Sequence, residues 1–210
     1  LRAKDFDLQY KVDGHNEGLA TYFRTVIRNF LMDWTTQHGY DLFEDGLKIY
    51  TTIDSRMQAY AEESMREHMD TLQSVFIKHL EGRSPWINED GTEMENFIET
   101  TMQRTSYYKS LVKEYGKGAD SVDILLNLKR PMKVFSWDGE IDTLMSAYDS
   151  LKYYKHFLQA GFMAMDPHSG HIKAWVGGID HKYFQFDHVM QGKRQPGSTI
   201  KPFVYSAVID

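Results

Sequence analysis

Two hydrophobic periods alternate along this chain, and the alternation limits the folds open to it. From Glu17 to Gln37 the residues Leu19, Tyr22, Phe23, Val26, Ile27, Phe30, Leu31 and Trp34 recur at three- and four-residue steps. They form one apolar stripe of an amphipathic helix, which His38-Gly39 ends. Past a loop through Gly46 the period drops to two. Leu47 to Ile53 alternates apolar with polar residues and is rich in β-branched ones, so a half-buried strand is predicted there. Asp54 then stands as the N-cap of a second helix of roughly 25 residues, its apolar positions running from Met57 to Leu80 before Gly82. Strands and long helices in separate runs predict an α+β class. No internal repeat is visible, which removes solenoids.

The rest of the chain continues in pieces. Residues 82–118 turn polar and broken, with a short helix expected over Glu93 to Thr105. Lys129 to Trp137 has strand character, and Pro131 places it at an edge. Asp142 to Gln159 has a helical pattern. Gly161 to Asp166 and His171 to Gly178 then read as two strands of a hairpin around Pro167-His168-Ser169-Gly170, with proline early and glycine last as tight reversal requires.

Charge and cysteine content exclude several classes of function. The 24 Lys and Arg against 30 Asp and Glu leave a net charge of -6, the wrong sign for a general nucleic-acid binder. Without a cysteine the chain has no disulfide, thiolate metal site or thiol nucleophile. No stretch reaches the roughly 18 apolar residues of a membrane helix. The chain opens on Leu1, and a longer protein with its own targeting segment is expected.

One short string carries chemistry. In Arg194-Gln195-Pro196-Gly197-Ser198-Thr199-Ile200-Lys201-Pro202-Phe203 a serine opens an apolar helical stretch, with a lysine three residues on and therefore on the same face. A serine hydroxyl becomes a useful nucleophile when a neighbouring base takes its proton, and a lysine amine serves when its surroundings keep it neutral part of the time. Free N–H groups at the helix start would favour an oxyanion beside the serine. Pro202 fits the first turn, where its missing N–H has no partner to lose. Taken alone, Ser-x-x-Lys also describes a capping serine next to a solvated lysine.

The longer string separates these readings. Phe186 to Tyr205, FDHVMQGKRQPGSTIKPFVY, resembles the class A penicillin-binding proteins, bifunctional enzymes that polymerise and cross-link bacterial peptidoglycan. It carries their Arg-x-Pro-Gly-Ser-x-x-Lys-Pro-Phe pattern. GHIKAWVGG (Gly170 to Gly178) is similar to the hairpin that opens their transpeptidase domain, and LKIYTTID (Leu47 to Asp54) to the strand entering it. Asp187 departs from the pattern, standing where Asn is more usual. The family's Ser-x-Asn motif and Lys-Thr/Ser-Gly strand do not occur in these residues.

The resemblance implies a partial penicillin-binding/β-lactamase-like transpeptidase domain preceded by a helical connector region. Residues 1–45 would be the tail of the glycosyltransferase domain and a connector helix. Residues 46–160 would form the connector or pedestal with an insertion at about 82–140, and residues 161–210 the start of the transpeptidase domain. It further implies Ser198 as nucleophile and Lys201 as general base of a penicillin-sensitive D,D-transpeptidase acting on D-Ala-D-Ala stem peptides. No cofactor or metal is required. The implied partners are peptidoglycan stem peptides and glycan strands, and β-lactam antibiotics, with no nucleic acid. The implied place is the periplasmic face of the bacterial inner membrane, reached through an N-terminal anchor outside these residues. A serine β-lactamase or D,D-carboxypeptidase, and a noncatalytic wall-binding scaffold, are the alternatives.

Other polar groups take structural readings. His168 and His171 flank the hairpin turn without a third ligand in reach and are read as turn histidines. Tyr107-Tyr108 and Tyr153-Tyr154 are read as packing aromatics rather than sugar platforms. Glu62-Glu63 and Glu93/Glu95 are read as solvated helix faces rather than paired catalytic carboxylates.

Overall fold

In the computed structural model the chain runs α1 (Thr21–His38), α2 (Ser55–Leu80), α3 (Phe97–Arg104), α4 (Ser106–Tyr115), α5 (Asp120–Asn127), β1 (Arg130–Ser136), β2 (Gly139–Met145), α6 (Ala147–Lys155), β3 (Phe162–Met165), β4 (Ile172–Val176), a 3₁₀ turn (Gly197–Ile200) and α7 (Lys201–Ile209). Residues 14 and 16–209 are described. Residues 1–13 and 15, the first part of the expected glycosyltransferase-side tail, lie outside them. The α+β class holds, with two separate two-stranded antiparallel sheets. Two units divide the chain, residues 1–62 with 160–210 and residues 63–159.

In the first unit α1 ends where expected. Gly39 takes φ 74°, and its N–H bonds back to the Thr35 carbonyl, a left-handed terminus that glycine adopts without a Cβ penalty. The apolar stripe is less covered than its pattern suggests. Tyr22 is buried, but Phe30 stays 62% exposed, and Leu19, Phe23, Ile27 and Leu31 share an open groove of about 480 Å³ with Leu42, Phe43, Ile49 and Ile53. Asp54 caps α2 as expected, its Oδ1 accepting the N–H groups of Arg56 at 2.9 Å and Met57 at 3.1 Å.

Leu47 to Ile53 is not a strand, against expectation. The reason lies at the free edge of β4. The Lys173 carbonyl already accepts the Asp54 N–H at 3.0 Å. The Trp175 N–H and carbonyl are taken by the Gln58 side-chain amide at 2.7 and 2.8 Å. The start of α2 thus occupies groups a third strand would pair with, and from the segment itself the Thr52 hydroxyl reaches β4, donating to the Ile172 carbonyl at 2.7 Å.

The second unit corrects one expectation. Residues 82–140, expected as an insertion, hold three helices and a strand and share a core with residues of α6. Met102, Leu111, Val122 and Leu126 are buried, with Tyr108, Leu125, Tyr148 and Leu151 against them. The polar, broken composition conceals one or two core residues in each short helix. Residues 142–145 belong to β2 rather than to a helix. Ile141 pairs with Val134 and Thr143 with Met132, a cross-strand fit that suits β-branched side chains. Ser146 and Asp149 then form a reciprocal capping box that starts α6 at Ala147. Pro131 lies on β1 as expected, since both strands of a two-stranded sheet are edges. The expected helix over 93–105 is α3, shortened because residues 86–94 first make a tight reversal with Ile87 bridged to Glu93.

Candidate active site

The geometry around the serine string begins at the β3–β4 hairpin. Phe162 pairs with Val176, and the register slips between Ala164 and Met165. At the turn the Asp166 carboxylate accepts the Ser169 hydroxyl at 2.6 Å and the His168 N–H at 3.0 Å, and Gly170 takes φ 71°. These bonds hold the Asp166 carboxyl below its usual pKa. His168 and His171 are exposed turn residues, and among the described residues no group of three metal-ligating side chains gathers.

β4 turns its C-terminal half inward, burying Ala174, Trp175 and Val176. Gln58, itself fully buried, pairs with both backbone groups of Trp175 and donates to Glu62 Oε1 at 2.7 Å. Glu62 also accepts the Ala20 N–H at 2.7 Å, so the reading of Glu62 as a solvated face is corrected. Glu93 likewise accepts the Trp86 indole N–H at 2.9 Å. Both carboxylates serve buried donors that would otherwise lack a partner.

The strand leads through Gly177-Gly178 to the segment before the serine. The Tyr22 hydroxyl donates to the Phe184 carbonyl. Burial, with Asp180 and Asp187 nearby, raises its pKa and keeps it a donor. A Cβ on Gly177 would lie 2.6 Å from Tyr22 Cδ1 and 2.7 Å from Asp187 Cγ. Gly177→Ala is therefore expected to destabilise this unit by about 1–3 kcal/mol, the usual cost of overpacking against groups that cannot move aside. A denaturant midpoint equal to that of the wild type would contradict it.

Ser198 lies in the 3₁₀ turn, which Gly197 enters with φ 54°. The expected α-helix starting near Ser198 begins instead at Lys201, whose N–H bonds to the Ser198 carbonyl. The reason is local: Thr199 donates its N–H to the Pro196 carbonyl at 3.2 Å, and its hydroxyl bonds to the same oxygen, which tightens the turn to three-residue closure. Pro202 falls in the first turn of α7 as expected. Both Ser198 and Lys201 are exposed, and among the described residues no hydrogen bond joins their side chains. α7 is apolar and uncovered, with Phe203 72% and Ile209 84% exposed.

Two histidines supply a pH response. The ring nitrogens of His181 lie 2.7 Å from Asn16 Oδ1 and 3.2 Å from Thr25 Oγ1, and the ring meets Tyr22 edge-on. Burial first, then Arg24, lowers the His181 pKa; burial and Arg194 lower that of His188. With folded values below the unfolded value near 6.5, the unfolded chain takes up protons first. The stabilisation is complete above about pH 6.5 and is lost as pH falls through the folded values. Hydrogen-exchange protection over residues 180–191 is expected to fall as pH drops below about 6.5, and less so in His181→Gln. A flat profile in the wild type would contradict this.

Sequence reasoning missed Gln58, Trp175 and Tyr22 as the groups that hold this segment. The available signals were the paired glycines after a strand and the unusual Asp187.

Comparison with known proteins matches residues 81–158 to the family described as Penicillin-binding protein middle domain. Over 203 residues the chain is 26% identical to Penicillin-binding protein 1A of Aquifex aeolicus, an alignment covering 90% of this chain and 26% of that protein. It is 25% identical over 218 residues to Penicillin-binding protein 1A of Neisseria flavescens, with 90% and 26% covered. A local match to Penicillin-binding protein 2D of Bacillus subtilis reaches 50% identity over 52 residues, 25% of this chain and 8% of that one. The chain thus spans about a quarter of the length of the curated relatives 1A that it matches. The resemblance to the class A penicillin-binding proteins is borne out. Residues 82–140, expected as an insertion, fall within the matched middle domain.

Proposed function

We propose, from this relationship to the class A penicillin-binding proteins, that the chain is a part of a peptidoglycan synthase in which Ser198 is the acylated residue of a D,D-transpeptidase. The observation that carries the reading is the string Arg194 to Phe203, which sets Ser198 in a 3₁₀ turn and Lys201 at the head of α7, three residues on. The Ser198 oxygen attacks the carbonyl carbon of the D-Ala-D-Ala amide while the Lys201 amine takes the hydroxyl proton. The tetrahedral intermediate collapses as the C–N bond breaks, and the proton passes to the departing D-Ala amine. The amine of a neighbouring stem then attacks the ester carbonyl, an amide forms and Ser198 regains its proton. Splitting the transfer at an ester replaces one difficult step with two easier ones. The bond energy is conserved from amide to amide, which suits a compartment without ATP.

A penicillin presents a strained amide to the same oxygen, and ring opening leaves a stable ester. Peptidoglycan stems and glycan strands as substrates, β-lactams as acylating ligands and a cell-envelope location follow from this reading. Among the described residues no helix is long and apolar enough to cross a membrane.

The test is to acylate the intact protein with a penicillin, digest it and locate the added mass. Recovery on the peptide carrying Ser198 is the expected result. Recovery on a peptide from elsewhere in the protein, or no added mass, would overturn the assignment.

A further inference from the structure

The buried pair Trp175–Asp187 explains why this chain has Asp at position 187, and it bears on how the serine segment is held. The indole N–H of Trp175 donates to Asp187 Oδ2 at 2.9 Å. The other carboxylate oxygen, Oδ1, accepts the N–H groups of Val189 at 2.9 Å and Met190 at 3.1 Å. Asp187 is 7% exposed and Trp175 9%, so the carboxylate and the indole N–H have little water to fall back on. The turn is closed by the Gln191 N–H on the Asp187 carbonyl at 2.8 Å and by the Asp187 N–H on Gln191 Oε1 at 3.1 Å. It is tied to the hairpin a second time by the His188 N–H, which donates to the Gly177 carbonyl at 2.7 Å.

An asparagine at 187 cannot serve both sides. Its single oxygen can accept the two backbone N–H groups or the indole N–H. Whichever it accepts, the amide NH₂ is aimed at a donor on the other side. A carboxylate accepts on both oxygens and meets all three donors. Asp187 thus satisfies the Trp175 indole and the turn together.

We propose that Trp175 and Asp187 are a matched pair of positioning residues that fixes the 187–192 turn on β4 and so anchors the segment carrying Ser198. The inference rests on the reading of Ser198 as the acylated residue. Neither member touches the reacting atoms; both act through the backbone. Gly192 closes the anchored turn, since a Cβ there would lie 2.5 Å from the His188 carbonyl oxygen. Ser198 follows six residues later, so its reach from the anchor is bounded at about 20 Å even with that stretch fully extended. Loosening the anchor frees the origin of that tether, and displacements of about 1 Å at a reacting group can cost up to about 10² in rate.

The test is a double-mutant cycle in the intact protein. Wild type, Asp187→Asn, Trp175→Phe and the double variant are acylated with a fluorescent penicillin at several concentrations, separating the acylation rate constant from penicillin binding. Thermal midpoints are measured alongside. Asp187→Asn is expected to lower the acylation rate constant about tenfold while penicillin binding stays within about threefold. Trp175→Phe is expected to lower the rate as well, because it strands a buried carboxylate oxygen. The double variant is expected to acylate faster than Asp187→Asn, since removing the indole removes the opposed donor and lets the asparagine oxygen serve the turn. Rates that combine as independent losses would overturn the pairing, as would an Asp187→Asn variant that acylates like the wild type. Should Asp187→Asn fail to fold, the double variant against Trp175→Phe decides: a lower midpoint and slower acylation in the double overturn the proposal, and equal or better values support it. Wild type that takes no label at Ser198 would instead remove the reading on which the proposal rests, and the proposal with it.

Discussion

Ser198→Ala in the intact protein is expected to abolish covalent labelling by a fluorescent penicillin while leaving the stability within about 0.5 kcal/mol of the wild type. The first half follows from bond chemistry. The acyl-enzyme is an ester on the serine oxygen, and alanine has no atom there to carry it. The second half follows from placement. Ser198 is exposed in its 3₁₀ turn, and the bond that its residue makes to Lys201 uses the backbone carbonyl, which alanine keeps. Labelling and stability are therefore separable at this position. A labelled alanine variant would sink the assignment, and an unlabelled variant that has lost its fold would leave the comparison to Ser198→Cys, where a slow thioester is expected instead.

Lys201→Ala is expected to slow acylation by about 10²- to 10⁴-fold, the range for losing a positioned general base. The fold is expected to tolerate the change, because Lys201 opens α7 with an exposed side chain and alanine favours a helix. Equal rates in the two proteins would assign the proton to another group. An amine added to the buffer is expected to restore part of the lost rate, which a purely structural loss would not allow.

The elements that local rules govern are legible in the residues themselves. The α1 stripe, the Asp54 cap and the first-turn place of Pro202 each depend on neighbours within about four residues, and the β3–β4 hairpin on its Pro-His-Ser-Gly turn and the two strands beside it. Period, capping and turn chemistry are short-range properties, so the sequence states them directly. The serine string is legible for a different reason. Its serine and lysine stand three positions apart in the chain, and that spacing survives whether the turn is 3₁₀ or α.

Where an expectation fails, a long-range competitor decides. Leu47 to Ile53 has every local mark of a strand, yet the β4 edge it would pair with is filled by Asp54 and by Gln58, a polar residue inside an amphipathic pattern. Residues 142–145 read as helical as long as Ser146 and Asp149 are not taken for the cap, and their partners on β1 lie a hairpin away. The polar stretch after Gly82 hides a core, because each of its short helices contributes only one or two buried residues and burial becomes visible only when they meet.

By itself, then, the sequence determined the α+β class, the start of α2, the hairpin and the Ser198–Lys201 spacing, all set by interactions that span a turn or a strand pair. Only the tertiary structure decided which polar side chains are buried and whom they serve: Gln58 on the Trp175 backbone, Glu62 on Ala20, and Asp187 between an indole and a turn. The physical reason is that a buried donor or acceptor must find its partner wherever the fold brings one, and for Gln58 and Trp175 that partner lies 117 residues along the chain.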